Sequence, residues 1–133
     1  NGIEVMGHIG LTPQTITTFK VQGKDMESAD KILKEGIELD KAGCFSLILE
    51  CIPLSLAKTI TEKIKIPTVG IGAGIHCDGQ VLVTNDILGL YGDFKPKFLK
   101  RYAEIGNEMK VAFENYAKEV MEGKFPADEN SFH

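Results

Sequence analysis

Phe45-Ser46-Leu47-Ile48-Leu49, followed at once by Glu50-Cys51, is the stretch on which the reading of the fold turns. It is a nearly continuous apolar run of strand length, as expected for a strand covered on both faces in a parallel sheet. Working outward from it, one order recurs: a short apolar run, a loop, then an amphipathic stretch. On the amino-terminal side, Ile3 to Met6 reads as a short β-branched strand ending at Gly7-His8. Ala29, Ile32, Leu33, Gly36 and Ile37 then recur at three- and four-residue spacing, with Lys31, Lys34, Glu35 and Glu38 between them, which predicts a surface helix closed by Gly43. On the other side, Leu56, Ala57, Ile60 and Ile64 supply the next helix, with Ser55 as its candidate cap and Pro67 beyond its end. Thr68-Val69-Gly70-Ile71 is a third strand that runs into Gly72-Ala73-Gly74, and Val81-Leu82-Val83 is a fourth, followed by Asn85-Asp86.

This alternation predicts parallel βα units and an α/β fold. Met109, Ala112, Phe113, Tyr116, Ala117 and Val120 keep a helical repeat that Gly123 and Pro126 close, so the end of the chain is a helical tail from about residue 95, and Lys124 to His133 read as irregular. No composition shift or linker divides residues 1–133, which are expected to form part of one domain. Four strands in 133 residues are close to half of a (βα)8 barrel, which typically needs about 250 residues. A flavodoxin-like open sheet is the alternative, and it would use a fifth strand.

Composition excludes more than it assigns. With 43% hydrophobic and 26% charged residues the chain is ordinary globular material, and a formal charge of -4 without any Lys/Arg-dense run speaks against a nucleic-acid surface. Cys44, Cys51 and Cys77 are an odd number with no C-x-x-C spacing, so they read as reduced thiols of a cytoplasmic protein. No apolar run approaches the roughly 18 residues that span a bilayer, and no membrane partner is expected. The start at Asn1-Gly2-Ile3, almost directly in an apolar run, looks like an interior segment.

In an α/β barrel the loops at the strand ends form one shared mouth, and polar or glycine positions fall at that end of all four strands here. Glu50 carries the strongest signal: a carboxylate directly after an apolar strand sits at the edge of a core, where it is a stronger base than a surface glutamate. An ion-paired or loop-capping glutamate is the bland alternative, and both stand at this point. His8 can donate to a substrate carboxylate or carbonyl, or simply be held against neighbouring backbone. Gly70 to Gly74 permits close approach of a ligand, or makes a tight turn, and it lacks the spacing of a dinucleotide fingerprint. His76-Cys77-Asp78 suits a surface loop better than a metal site, because adjacent residues on a turn rarely converge on one ion. Asp86 reads equally as a helix cap or a site residue.

Taken together the motifs resemble one family. Val5-Met6-Gly7-His8-Ile9-Gly10-Leu11-Thr12-Pro13-Gln14, Lys20-Val21-Gln22-Gly23-Lys24, Leu49-Glu50-Cys51-Ile52-Pro53, Ile66 to Gly74 with Cys77-Asp78-Gly79-Gln80-Val81-Leu82-Val83, and the closing Phe125-Pro126 and Ser131-Phe132 are similar, in this order, to ketopantoate hydroxymethyltransferases. The resemblance covers essentially the whole chain and implies the carboxy-terminal half of a single (βα)8 barrel. It implies hydroxymethyl transfer from 5,10-methylenetetrahydrofolate to 3-methyl-2-oxobutanoate, giving 2-dehydropantoate for pantothenate and coenzyme A biosynthesis, through a metal-bound enolate. By the same resemblance Glu50 is the proton acceptor, His8 contacts the oxo acid, and Ile71, Val81 and Val83 lie near its branched alkyl group. The Mg²⁺ ligands and a substrate-binding lysine belong to the amino-terminal half, so no metal ligand is assigned within residues 1–133, and the amino-terminal half of the barrel is an expected partner. A homo-oligomer, a decamer built from pentamers, is implied as well. One departure is the stretch Thr15-Ile16-Thr17-Thr18-Phe19, shorter than the family's glycine-containing loop. Another metal-dependent 2-oxo-acid barrel enzyme of the aldolase or lyase type, and a non-catalytic half-barrel that serves in assembly, are the alternative readings.

Overall fold

The computed structural model describes residues 2–12, 20–92 and 95–133. The chain gathers into two compact units, Asn1–Leu82 and Val83–His133. The first contains, in chain order, β1 (Met6–Gly10), α1 (Met26–Lys41), β2 (Ser46–Glu50), α2 (Leu54–Lys63), β3 (Thr68–Ile71) and β4 (Gly79–Gln80). The four strands lie side by side in sequence order and every neighbouring pair is parallel, so the α/β architecture with four parallel strands is what the chain forms.

Strand alternation gives this sheet two unlike faces. Ile9, Leu47 and Leu49 point to the side covered by α1 and α2, where they join Ile32, Leu56, Ala57, Ile60 and Ile64 in the core. Leu47, Leu49 and Ile60 are completely buried there, each contributing on the order of 1.5–3 kcal/mol of burial. Gly36 sits where α1 meets the sheet: a Cβ at that position would lie 3.3 Å from Ile9 Cδ1 and 3.4 Å from Ile60 Cγ2, so the missing side chain is what lets the helix lie this close. α1 begins at an N-cap that the hydrophobic pattern alone does not reveal, with the Asp25 carboxylate accepting the Ser28 N–H at 2.8 Å.

The structure corrects four local expectations. β1 starts at Met6 instead of Ile3, because its ladder begins only where Ser46 can pair with it, and His8 therefore lies inside the strand instead of after it. β2 includes Glu50 as its last residue, which the pairing of Glu50 with both Gly10 and Ile71 enforces. Ser55 does not cap α2; Pro53 occupies the N-cap, with φ -58, and its carbonyl accepts the Ala57 N–H at 3.0 Å. The fourth strand is Gly79–Gln80 and not Val81 to Val83, since the turn after β3 is short enough for pairing to begin at Gly79 opposite Val69.

The second unit holds α3 (Thr84–Ile87), α4 (Ile105–Met121) and a 3-10 turn over Asp128–Asn130. The start of α4 is tied back to α3, with the Tyr102 N–H donating to Ile87 O and the Ile105 N–H to Leu88 O, both at 2.9 Å. Gly123 closes α4 with φ 66, and the Tyr116 and Phe125 rings meet edge to face at 5.6 Å between centroids. No residue of α4 is buried, so its Met109, Phe113, Tyr116 and Val120 stripe is exposed. Among the described residues no helix is long and apolar enough to cross a membrane.

Candidate active site

The face of the sheet opposite the helices carries Met6, His8, Ile48, Glu50, Val69 and Ile71, as alternation from the buried Ile9, Leu47 and Leu49 requires. His8 is level with Ile48, and Glu50 ends β2 one strand over and two residues farther along. That diagonal lets the side chains meet: His8 Nε2 and Glu50 Oε2 are 2.9 Å apart. An ionised carboxylate only accepts, so in that state the imidazole N–H is the donor, in a charge-assisted contact. The side chains are 26% and 16% exposed, partly shielded yet reachable from outside.

The backbone around Glu50 is held by β3 and by Leu11 and Gln22 of the segment between β1 and α1. Its carbonyl accepts the Leu11 N–H at 2.9 Å, the Cys51 N–H donates to Ile71 O at 2.9 Å, and the Cys51 carbonyl accepts the Gln22 N–H at 2.8 Å. Gly10 makes the first of these possible. It has φ +92, and a Cβ there would overlap the Glu50 carbonyl oxygen and press on Ile52 Cγ2. Cys51 is the one non-glycine residue with positive φ, at 49, among the described residues, a conformation rarely kept without surrounding constraint. Burial, followed by the adjacent Glu50 charge, pushes its thiol up.

Ile71 pairs directly with Glu50 in register. Val81 follows β4, and its N–H donates to Gly70 O at 3.0 Å, so the ladder continues one residue past the strand and brings Val81 level with Ile71 on the same face. Val83 belongs to the second unit, where it precedes α3 as its exposed N-cap. Asp86 lies inside α3, and no side-chain hydrogen bond caps that helix. Gly72 and Gly74, with φ 66 and 82, form the turn after β3. The stretch Thr15 to Phe19 lies outside the described residues. A cleft of about 340 Å³ between β1 and α1 is lined by His8, Gly10, Thr12, Gln22, Lys31 and Glu35 among others.

Asp78 points to Thr68, not to His76 or Cys77. Its carboxylate accepts the Thr68 N–H at 2.8 Å and the Thr68 hydroxyl at 3.0 Å, and these donors, the backbone one first, hold it below the ordinary carboxylate range. Burial pushes the Cys77 thiol up. Among the described residues no three His, Cys, Asp or Glu side chains converge as metal ligands. His8 and Glu50 are one imidazole and one carboxylate already bonded to each other, a donor set too small for Mg²⁺, which prefers several oxygens. Sequence reasoning did not find Gly10, Cys51 or the Asp78 contact. Their roles depend on which strands become neighbours, and only the glycine-containing turn sequences hinted at them.

Comparison with known proteins adds an independent line. A family model described as ketopantoate hydroxymethyltransferase matches residues 1–128. The chain is 55% identical over 133 residues to a Clostridium acetobutylicum protein named 3-methyl-2-oxobutanoate hydroxymethyltransferase, covering 98% of this chain and 48% of that protein. Proteins of the same name from Clostridium kluyveri and Enterococcus faecalis are 56% and 52% identical, again over 98% of this chain and 48% of theirs. The chain thus spans about half the length of the curated relatives it matches.

Proposed function

The chain belongs to the ketopantoate hydroxymethyltransferase family, and from that premise we propose that it supplies the proton-abstracting half of an enzyme that hydroxymethylates 3-methyl-2-oxobutanoate. The observation that carries this reading is the His8–Glu50 contact on the open face of the sheet, beside Ile71. A partly shielded carboxylate facing away from the helix-packed core is a base with somewhere to act. The isopropyl group of the oxo acid needs an apolar wall, and Ile71 and Val81 offer one on the same face.

Glu50 takes the proton from C3 of the oxo acid, the carbon next to the keto group. The electron pair left behind forms the new carbon–carbon bond to the one-carbon unit of 5,10-methylenetetrahydrofolate. The two carbon–nitrogen bonds that hold that unit to the folate break as water supplies the hydroxyl oxygen. Tetrahydrofolate leaves with its nitrogens protonated by the proton from C3 and the second proton of water. His8 holds the Glu50 carboxylate by its N–H until substrate arrives, then turns that donor to the substrate carboxylate or keto oxygen, which frees the Glu50 lone pair for C3. By family resemblance the Mg²⁺ ligands lie in the amino-terminal half, and the ion, when bound, would polarise the keto carbonyl.

The other four βα units of a closed barrel, the metal ligands and a cytoplasmic oligomer, the decamer of the family, complete the proposal. Four parallel strands cannot close a barrel, and an unpaired inner face is not a complete site. The test is to purify this segment alone and with the complementary half of the polypeptide, and to assay each with Mg²⁺ for 2-dehydropantoate. Activity is expected only for the combination, and only with the folate donor. Turnover without folate would favour the aldolase or lyase reading, and comparable activity from the lone segment would overturn the division of labour.

A further inference from the structure

The connection from β3 to β4 is unusual for parallel strands. It uses only residues 72–78 and no helix, whereas a parallel crossover normally takes a dozen or more residues. Something must hold the returning chain against β3, and the hydrogen bonds around Thr68 do so.

Thr68 is completely buried at the first position of β3. Its N–H and hydroxyl both donate to Asp78 Oδ2, at 2.8 and 3.0 Å. The Asp78 N–H donates back to Thr68 Oγ1 at 3.2 Å, and Thr61 Oγ1 on α2 is 2.9 Å from the same oxygen. A hydroxyl has one proton and two lone pairs. With the proton given to Asp78, the Thr61 hydroxyl must be the donor, and every capacity of the Thr68 side chain is then used. Gln80 fastens the other end of the turn by donating to Gly74 O at 2.8 Å. One residue beyond Asp78 the ladder starts, Gly79 against Val69, and Val81 follows with its bond to Gly70.

We infer that Asp78 is a positioning residue for substrate selection: by locking the start of β4 to Thr68 it sets the register that brings Val81 level with Ile71, and so the width of the apolar wall for the branched alkyl group. The inference rests on the proposed function, because the wall matters only if Ile71 and Val81 face a branched oxo acid. Asp78 touches no reacting atom. Its removal changes how well the alkyl group fits and leaves proton abstraction by Glu50 in place.

The experiment uses the complete enzyme. The variants are Asp78→Ala, Asp78→Asn and Thr68→Val, with steady-state kinetics on 3-methyl-2-oxobutanoate and on unbranched 2-oxobutanoate. For Asp78→Ala a rise in KM for the branched acid of about tenfold is expected, about what losing one fitted side-chain contact removes. Its kcat should stay within about threefold, and its preference for the branched over the unbranched acid should fall. Asp78→Asn keeps an acceptor for the Thr68 N–H and should recover part of the loss. If Asp78→Ala does not fold, Thr68→Val, which keeps shape and removes only the hydroxyl, should shift KM and preference in the same direction to a smaller extent. Unchanged KM and unchanged preference in the folded variants would overturn the inference, as would a fall in kcat with KM constant. A parent enzyme without folate-dependent activity on the branched acid would instead sink the proposed function.

Discussion

The two faces of the one sheet in the first unit are built from the same four strands and have opposite chemistry. Toward α1 and α2 the side chains are Ile9, Leu47 and Leu49, sealed against the helices with 4% exposure or less. Toward the other side they are His8, Glu50, Ile48, Val69 and Ile71, half-buried, with Met6 and Val81 exposed beside them. A single residue's step along β2 moves from Leu49, fully buried in the apolar core, to Glu50, whose carboxylate meets His8. The difference teaches that stability and reactivity are separated here by strand alternation alone. Changes at Leu47 or Leu49 should move folding and leave chemistry nearly intact, and changes at His8 or Glu50 should do the reverse.

The sharpest attempt to break that separation is Glu50→Gln in the complete enzyme. Turnover should fall by about 10²–10⁴, as expected on removing a general base, while oxo-acid binding and the unfolding midpoint hardly move. Turnover within a few-fold of the parent would end the assignment of Glu50 as base. Its counterpart one residue away, Leu49→Ala, should cost about 2–5 kcal/mol of stability in a denaturant titration, since it empties a fully enclosed position. Below the new midpoint its kcat should remain within about threefold of the parent's, and a fall in kcat as deep as that of Glu50→Gln would show the faces to be coupled.

A smaller effect is expected at His8. His8→Ala removes a charge-assisted donor, and loss of such a bond corresponds to a weakening of about tenfold or more in affinity for 3-methyl-2-oxobutanoate by calorimetry. Unchanged affinity would return His8 to a purely structural role beside Glu50. The smallest effect concerns the pH dependence of stability at Asp78, which touches no reacting atom. Its folded carboxyl is held below the unfolded value by the Thr68 donors. Its contribution to stability is therefore present above the ordinary aspartate value of about 3.9 and is lost as pH falls through the lowered folded value. Thermal midpoints of the parent and Asp78→Asn, compared from pH 6 downward, should differ most at the upper end and converge in acid; a gap that widens on acidification would contradict the hydrogen-bond assignment.

The sequence by itself determined the α/β class, the approximate place of each strand and helix, and Glu50 as a carboxylate at a strand end. Those features are local: an apolar run, a three- and four-residue repeat, and a glycine or proline beyond a helix are all written within a few positions of the residues they govern. Tertiary structure alone decided that His8 lies within β1 and reaches Glu50 across the sheet, because the contact joins residues forty-two positions apart and depends on the register Gly10 to Glu50. It likewise decided the shift of β4 from Val81–Val83 to Gly79–Gln80, through the bond from Thr68 to Asp78 across a turn. Register is a property of two strands together, and one strand's hydrophobic pattern fixes which faces it has but not which neighbour each residue will meet.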